Sequence, residues 1–219
     1  MIPSAGTALI ICNGESPSRT LARRLARAAD LVVAADGGAN MARRHGIRPD
    51  IIIGDMDSVT KVTLRHFSDS MVLQVNRQDN TDLEKALDFV ASAGVPAVNV
   101  IGATGRRIDF TLGNLSVLWN YTAFMDLRFT GDGWTAFPVG RERVVLAPKG
   151  TTVSLIPFGA CDGITLRGLQ YPLQNAAMGV GEIGVSNVVC SSPFTARVTK
   201  GKMLMVVLHE NVRWGRSRR

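Results

Sequence analysis

Short apolar runs alternate with segments of helical periodicity through residues 1–130, and this alternation restricts the possible folds more than any other feature. The apolar runs lie at residues 8–12, 31–35, 51–53, 71–75, 98–101 and 127–130. The helical segments lie at residues 16–29, 37–46, 81–93 and 109–124. Apolar strands that alternate with helices are typical of a parallel sheet that is covered on both faces. The sequence therefore predicts a doubly wound, mainly parallel α/β sheet.

The pattern changes near residues 138–140. Beyond that point, glycine and proline separate short strand-like segments, and no segment of helical length intervenes. These segments lie at residues 144–146, 152–157, 164–167, 184–190, 195–199 and 203–209. Such a pattern is typical of a small antiparallel β-sandwich or a partial barrel, and we expect the sandwich. The sequence thus predicts an α/β domain over residues 1–139, followed by a β-sandwich domain over residues 140–219.

The composition is that of a globular protein, with 219 residues of which 46% are apolar and 20% are charged. No apolar run approaches the roughly 20 residues that a membrane-spanning helix needs. Residues 1–8 lack the basic start of a secretory signal. The three cysteines form no CxxC pair, which argues against disulfides and a zinc site. We therefore expect a cytoplasmic protein without a membrane partner.

The formal net charge of +7 suggests a nucleic-acid-binding protein, but its distribution argues against that class. Residues 1–139 hold 14 basic and 14 acidic residues, whereas residues 140–219 hold 11 and 4. Four of those 11 basic residues lie at the C-terminal end, at Arg213, Arg216, Arg218 and Arg219. A solvated chain end explains them more simply than a binding arm does. We expect no nucleic-acid partner.

Four polar clusters follow predicted strands, where open parallel sheets bind their ligands. The first is the Asp36 loop, residues 36–40, whose polar and glycine positions are Asp36, Gly37, Gly38 and Asn40. Its paired glycines would let a ligand approach the backbone and leave helix N–H groups free for an anion. A tight strand-to-helix turn would use the same glycines, so both interpretations stay open.

The second cluster is the Asp55 loop, residues 54–58. Its carboxylates, Asp55 and Asp57, can point to the same side of an extended backbone. Like charges at that spacing would repel each other unless a cation such as Mg²⁺ were bound between them. The alternative is an acidic turn in which Asp57 caps a helix.

The third cluster is the Asp79 segment, residues 78–87. Thr81 and Glu84 have the spacing of a capping box, so Glu84 is explained as a helix cap. Asp79 precedes that cap, and together with Asp82 it could complete a cation site beside the Asp55 loop.

The fourth cluster is the Arg107 loop, residues 102–109, which contains two glycines and two arginines between a strand and a helix. That composition is typical of a phosphate-binding loop. A solvated charge explains Arg106 better, and Arg107 could instead form an ion pair with Asp109. The carboxylates of the four clusters, with these loops, suit a complex of Mg²⁺ with a polyphosphate substrate.

Together, the four clusters resemble the motifs of the thiamine pyrophosphokinase family. The resemblance rests on ADGGAN at residues 35–40, GDMDS at 54–58, QDNTDLEKAL at 78–87 and GATGRRID at 102–109. It is thinner in the second domain, where GLQYPL at residues 168–173 and the pair Ser186 and Asn187 carry it. The plan of that family, an α/β domain followed by a β-sandwich, agrees with the expected domains.

The resemblance implies that the hydroxyl of thiamine attacks the β-phosphorus of ATP, so that thiamine diphosphate and AMP form. It also implies a homodimer in which the α/β domain of one subunit and the β-domain of the other share each active site. By this resemblance the catalytic residues are Asp55, Asp57, Asp82 and Arg107, with Asp55 as the first choice for accepting the hydroxyl proton. The implied Mg²⁺ ligands are Asp55, Asp57, Asp79, Asp82 and Asp109.

The resemblance further implies a set of residues that bind ATP or thiamine. They are Asp36, Gly37, Gly38, Asn40, Gln78, Asp79, Thr81, Lys85, Gly102, Thr104, Gly105, Asp109, Tyr171, Ser186 and Asn187. Gln78 would face thiamine in one subunit. In the partner subunit, Tyr171 would stack on thiamine while Ser186 and Asn187 hydrogen-bond its aminopyrimidine. An aromatic face opposite the cationic thiazolium has its own rationale in cation–π attraction.

Three positions depart from the family pattern. Phe110 stands where the family often has histidine, Ile108 where it often has a polar residue, and Tyr171 where it usually has tryptophan. Two alternatives therefore remain beside the thiamine enzyme. One is a pyrophosphokinase for another alcohol, such as a hydroxymethylpterin, and the other is a non-catalytic module that binds nucleotides or nucleic acid.

Overall fold

The computed structural model describes residues 5–77, 79–182 and 184–209. Gln78 and the four arginines of the C-terminal end lie outside the described residues. The chain divides into two compact units between Gly131 and Asp132. That division falls earlier in the chain than the change in sequence pattern, and the functions assigned above to residues 1–139 and 140–219 stay predictions.

The unit that ends at Gly131 is a parallel α/β sheet flanked by helices. Its strands are β1 (Thr7–Ile11), β2 (Leu31–Ala35), β3 (Ile51–Gly54), β4 (Met71–Gln74), β5 (Ala97–Ile101) and β6 (Asp126–Gly131). Its helices are α1 (Arg19–Ala28), α2 (Gly38–His45), α3 (Lys61–His66), α4 (Asp82–Ser92) and α5 (Ile108–Tyr121). The strand order is β6-β5-β1-β2-β3-β4, and each of these pairings is parallel. The predicted fold class of this part is confirmed.

Local sequence signals explain most helix boundaries. Gly46 ends α2 in the left-handed conformation at φ 64°, which favours glycine. Thr81 and Glu84 form the predicted capping box of α4: Thr81 Oγ1 accepts from the Glu84 N–H at 3.3 Å, and Glu84 Oε2 accepts from the Thr81 N–H at 2.9 Å. The helical segment predicted from residue 16 begins later in the structure, where Ser18 caps α1. The Ser16 hydroxyl instead lies 2.7 Å from His45 Nε2.

The unit that begins at Asp132 contains two antiparallel sheets around an apolar core. Its strands are β7 (Trp134–Pro138), β8 (Glu142–Val145), β9 (Thr152–Pro157), β10 (Cys161–Arg167), β11 (Leu173–Met178), β12 (Asn187–Val188), β13 (Phe194–Arg197) and β14 (Met203–Leu208). One sheet has the order β12-β9-β14-β7 and the other has the order β11-β10-β13-β8. Buried side chains from both sheets, such as Leu155 and Phe194, share one core. The predicted all-β class is confirmed, although only Asn187–Val188 of the expected strand at residues 184–190 is a strand.

In the described residues, no helix combines the length and the apolar character that crossing a membrane requires.

Candidate active site

A cleft of about 560 Å³ lies at the carboxyl ends of the parallel strands. The loops that follow β1, β2, β3 and β5 line it, together with the first turn of α4. The chain order reverses at β1, which pairs with β2 on one side and with β5 on the other. Such a switch point is the general position of ligand sites in open α/β sheets. The fold therefore brings the predicted clusters to one place.

Asp36 anchors the floor of this cleft. Its side chain is almost fully buried, with 1% of the residue exposed, and burial raises the pKa of its carboxyl group. The carboxylate accepts hydrogen bonds from the backbone N–H groups of Ser58 at 3.0 Å and Val59 at 3.1 Å. Its backbone is held at φ 41° by a bond from its own N–H to the carbonyl of Ile53. Asp36 thereby fixes the Asp55 loop against the end of β2.

Asp55 and Asp57 converge through a turn and not, as predicted, through an extended backbone. Met56 between them adopts the left-handed conformation at φ 69°. Asp55 Oδ1 accepts from the Asp57 N–H at 3.1 Å, and the Ser58 hydroxyl donates to Asp57 Oδ1 at 2.8 Å. That hydroxyl lowers the pKa of Asp57. The loop hydrogen bonds thus fix the positions of the two carboxylates.

The carboxylates form a cluster whose chemistry suits a hard divalent cation. Oxygen atoms of Asp36, Asp55 and Asp57 all lie within 4.8 Å of one another. Asn80 lines the same cleft, and its Oδ1 is buried without a hydrogen-bond partner among the described residues. Carboxylate and amide oxygens are ligands that Mg²⁺ prefers. The residues present therefore fit a magnesium ion.

Asp82 and Lys85 extend this cluster from the first turns of α4. The buried ammonium of Lys85 lies 2.9 Å from Asp82 Oδ1 and 4.0 Å from Asp55 Oδ2. Gly54 makes the close approach possible, since an added Cβ at this position would lie 2.6 Å from Asp36 Cβ and 3.1 Å from Asp82 Oδ1. The end of β3 is thus the point where the Asp36 loop and α4 meet.

Asp79 and Asp109, two predicted magnesium ligands, each pair with an arginine in the structure. The Arg77 guanidinium donates twice to Asp79 at 3.0 Å, and Arg107 donates from Nε and Nη2 to the two oxygens of Asp109. These pairs lower the pKa of both carboxyl groups. Arg107 also stacks 4.4 Å from the centroid of the Phe110 ring. The ion pair that the sequence left open for Arg107 is therefore present, and the ligand roles of Asp79 and Asp109 stay predictions.

The predicted glycines divide into two groups. Gly37, Gly102 and Gly105 line the cleft, and an added Cβ at these positions would lie 2.3 Å from Asn13 Nδ2, 2.6 Å from Cys12 O and 2.4 Å from Glu15 Cβ, respectively. Gly38 instead packs against β1, since an added Cβ would lie only 1.9 Å from the carbonyl oxygen of Ile11. The paired glycines thus allow close packing of the turn, and their contact with a ligand stays a prediction.

Three further predicted residues support the loops. The Asn40 side chain donates to the carbonyl of Ser58 at 2.9 Å and accepts from the N–H of Thr60 at 3.1 Å. The carbonyl of Thr104 accepts from the N–H of Glu15 at 2.7 Å. Thr81 lines the cleft and caps α4.

Several cleft residues were missed by the sequence analysis. Asn13 and Gly14 follow β1, and an added Cβ at Gly14 would lie 2.3 Å from the carbonyl oxygen of Gly102. Asn114 on α5 donates to the carbonyl of Ala103 at 2.7 Å. Asn13 and Gly14 directly follow a predicted strand, and this position could have indicated that they line the cleft. Asn114 lies within a helix, and no sequence feature indicated its place in the cleft. Cys12 also lines the cleft, and burial raises the pKa of its thiol to about 12.

In the second unit, the residues expected to contact thiamine lie side by side. The Asn187 side chain accepts from the Tyr171 N–H at 3.0 Å and donates to the Tyr171 carbonyl at 2.8 Å. Tyr171 is 63% exposed, and Ser186 is also exposed. The backbone of Ser186 adopts the left-handed conformation at φ 63°. Asn187 thus holds the backbone of Tyr171, and its expected contact with aminopyrimidine stays a prediction.

An acidic cleft with glycine loops and arginines, at the switch point of a doubly wound sheet, is an arrangement typical of transferases of the kinase class. The catalytic-domain model of thiamin pyrophosphokinase matches residues 22–129, and the vitamin B1 binding domain model of the same enzyme matches residues 141–202. The chain belongs to the thiamin pyrophosphokinase family and is an enzyme of that family.

Individual relatives agree with this assignment. Thiamine pyrophosphokinase 3 of Oryza sativa subsp. japonica is 29% identical over 232 residues, covering 92% of this chain and 86% of the relative. Thiamine pyrophosphokinase of Bacillus subtilis (strain 168) is 28% identical over 184 residues, covering 80% and 86%. A crystal structure of thiamine pyrophosphokinase from Bacillus subtilis superposes with a TM-score of 0.80 at 25% identity, covering 94% of this chain and 100% of that one.

Proposed function

We propose that the chain transfers the terminal pyrophosphoryl group of ATP to the hydroxyl of thiamine, giving thiamine diphosphate and AMP. The observation that carries this proposal is the cluster of Asp36, Asp55 and Asp57 in the cleft at the switch point. The chain also matches the models of both domains of the family. The carboxylates of this cleft suit a nucleoside triphosphate that is bound together with Mg²⁺.

The triphosphate binds to the arginines and loop N–H groups of the cleft. Arg77 and Arg107 line it, and each already presents two donors to a carboxylate. A phosphate group offers the same fork-shaped acceptor geometry, so it can compete with Asp79 or Asp109 for these donors. Gly37, Gly102 and Gly105 line the cleft, and we propose that their backbone N–H groups contact the phosphate oxygens.

The carboxylates Asp55, Asp57 and Asp82 are the proposed magnesium ligands, with Asp79 and Asp109 nearby. The geometry adds Asp36 as a candidate, because its carboxylate belongs to the cluster. When bound, Mg²⁺ supplies positive charge that offsets the negative charge of the phosphates. The hydrogen bonds within the Asp55 loop hold these carboxylates in position before the substrates arrive.

The chemical step joins the thiamine hydroxyl oxygen to the β-phosphorus of ATP. The bond between that phosphorus and the oxygen bridging to the α-phosphate breaks, and AMP leaves with the bridging oxygen. The hydroxyl proton passes to a carboxylate, for which we propose Asp55 Oδ2, the oxygen that faces Lys85 at 4.0 Å. Arg107 stabilises the charge that develops on the transferred group.

Thiamine is the proposed acceptor because the second unit matches a vitamin B1 binding domain. The exposed ring of Tyr171 offers an aromatic face for the cationic thiazolium. The amide of Asn187 holds the Tyr171 backbone, and the exposed Ser186 beside Asn187 offers a hydroxyl for the aminopyrimidine. A hydroxymethylpterin carries no such fixed positive charge, and this difference favours thiamine over the alternative alcohol.

We include the homodimer with shared sites and the cytoplasmic location in this proposal. An apolar face on α5 supports the dimer. Ile108 and Leu112 are exposed, and Leu115 and Trp119 continue the same face at helical spacing as half-buried side chains. An exposed face of this kind on a soluble domain marks an interaction surface. A second copy of the chain is the proposed partner.

The test is a product assay with ATP, Mg²⁺ and thiamine. We expect thiamine diphosphate and AMP in equal amounts, and we expect Asp57→Asn to reduce the rate on the order of a hundredfold. Asp69→Asn is the matched control, because Asp69 is exposed and pairs only loosely with Arg48 at 3.9 Å. Formation of ADP and thiamine monophosphate would contradict the proposed bond cleavage. AMP formation with a hydroxymethylpterin but not with thiamine would replace the acceptor, and no turnover with either would favour a binding module.

A further inference from the structure

Lys85 is a buried cation at the edge of the proposed metal site. Only 3% of its side chain is exposed, although lysine normally keeps its ammonium in water. The ammonium donates to Asp82 Oδ1 at 2.9 Å and lies 4.0 Å from Asp55 Oδ2. Burying an ammonium is costly unless opposite charges compensate for it. The two carboxylates provide that compensation, so the position of Lys85 depends on them.

Lys85 also joins two separate elements of the cleft. Asp82 begins α4, whereas Asp55 lies in the loop that follows β3. Because glycine has no side chain, Gly54 lets Asp82 approach Asp36. Oxygen atoms of Asp36, Asp55 and Asp57 lie within 4.8 Å of one another. Four carboxylates in so small a volume repel one another unless a positive charge is present. The Lys85 ammonium provides such a charge from the protein itself.

We propose that Lys85 is a positioning residue that acts as an internal cation of the acidic cleft. It holds Asp82 and Asp55 in place, and its charge weakens the binding of a free divalent cation. A cation that enters with a nucleotide is less affected, because the phosphates bring additional negative charge. The consequence is a site that stays assembled without metal and binds the metal mainly as its nucleotide complex. This inference rests on the proposed function for the identity of the ligands.

The test measures the binding of Mn²⁺, as a spectroscopic probe for Mg²⁺, to the whole protein without nucleotide. We expect Lys85→Met to bind Mn²⁺ more tightly, on the order of tenfold, because a nearby positive charge is removed. We expect its kcat to fall while the KM for thiamine changes little, and we expect Lys85→Arg to restore both properties in part. Lys85→Gln provides a second neutral variant in case the methionine variant does not fold.

Two controls separate charge from stability. Lys61→Met removes an exposed lysine from α3, so it should leave Mn²⁺ binding and kcat unchanged. Val90→Ala removes buried apolar volume from α4, so it should lower the thermal stability without changing Mn²⁺ affinity. Unchanged or weaker Mn²⁺ binding in the neutral Lys85 variants would overturn the inference. Wild-type protein that binds the Mn²⁺ complex of ATP no better than Asp57→Asn does would instead overturn the proposed metal site.

Discussion

The glycine at the end of β3 determines how closely the acidic groups of the cleft can approach. An added methyl group at Gly54 would lie 2.6 Å from Asp36 Cβ and 3.1 Å from Asp82 Oδ1. Asp36 is buried and tied to two backbone N–H groups, so it cannot move away without breaking them. We expect Gly54→Ala to lower the free energy of unfolding by about 1–3 kcal/mol, as overpacked sites do. Urea unfolding measures this change.

The same substitution should reduce kcat/KM on the order of tenfold or more, because small displacements of catalytic groups are costly. Gly179→Ala is the matched control, since an added Cβ there meets only Glu182 Oε2 at 3.8 Å. If Gly54→Ala matched this control in both stability and activity, the close approach at the end of β3 would be irrelevant to the site.

At the level of single residues, the sequence predicted positions better than contacts. The carboxylates of the Asp36 and Asp55 loops follow neighbouring parallel strands, and such strands end at the same edge of the sheet. Their convergence was therefore predictable. The pairing of Arg77 with Asp79 was not, because it depends on a local turn and on side-chain rotamers. The burial of Lys85 was equally hidden, since a lysine in the motif gave no sign that its ammonium is enclosed.

The cap of α4 connects helix stability with the site. Thr81 forms both hydrogen bonds of the capping box with Glu84, and Asp82 follows it directly. We expect Thr81→Ala to lower the free energy of unfolding by about 1 kcal/mol, the usual cost of losing such a cap. It should also lower kcat, because a frayed first turn displaces Asp82 and Lys85. Denaturant unfolding and the product assay measure the two effects separately.

Ser18→Ala is the matched control for this prediction. Ser18 caps α1 by accepting from the Leu21 N–H at 3.3 Å and does not line the cleft. Its loss should lower stability to a similar degree without changing kcat. Equal activities of the two variants would show that the cap of α4 serves folding alone.

The apolar face of α5 leads to a second prediction about a single helix, which concerns the dimer. Of the 14 residues in this helix, Asn114, Leu118 and Tyr121 are buried, whereas Ile108 is 73% exposed and Leu112 is 57% exposed. If this face contacts a second copy, Leu112→Glu should weaken the dimer because a charge would be buried without a partner. Light scattering after size-exclusion chromatography should then show a smaller mass at micromolar concentration. Asn120→Glu, on a different side of the same helix, is the exposed control.

Sequence patterns identified continuously apolar elements well and strands of mixed composition poorly. The buried strand β2 was predicted residue by residue, because five consecutive apolar side chains admit little else. The strand β7 was missed although Trp134, Thr135 and Phe137 favour strands, because the segment ends in a proline and lies where the sequence pattern changes. The two-residue strand β12 was overextended in the prediction, since a positive φ at Ser186 stops regular pairing before Asn187.

For the whole molecule, the predicted site residues are distributed over both units. The carboxylates and arginines of the cleft belong to the unit that ends at Gly131. Tyr171, Ser186 and Asn187 belong to the other unit. The sequence pattern could predict two units, because strand and helix periods differ between them. It could not predict whether one active site takes both sets from one chain or from two, because chain association leaves no local periodic signal.

Complementation between two inactive variants decides between these possibilities. Asp57→Asn removes a carboxylate of the first unit, and Tyr171→Ala removes the aromatic face of the second. Each variant alone should be nearly inactive. In a heterodimer with shared sites, one site combines the intact Asp57 of one chain with the intact Tyr171 of the other, and the second site carries both defects. Random exchange at equal amounts should therefore restore about a quarter of the wild-type activity per chain.

Sites formed within single chains would respond differently. Every site in the mixture would then carry one defect, so mixing would restore no activity. Two different affinity tags, purified in sequence, establish that heterodimers have formed before the product assay is run. Absence of recovery in verified heterodimers would exclude shared sites, and a variant retaining full activity alone would remove its residue from the proposed mechanism. Recovery near the expected fraction would require that the carboxylate cluster of one chain act on thiamine held by its partner.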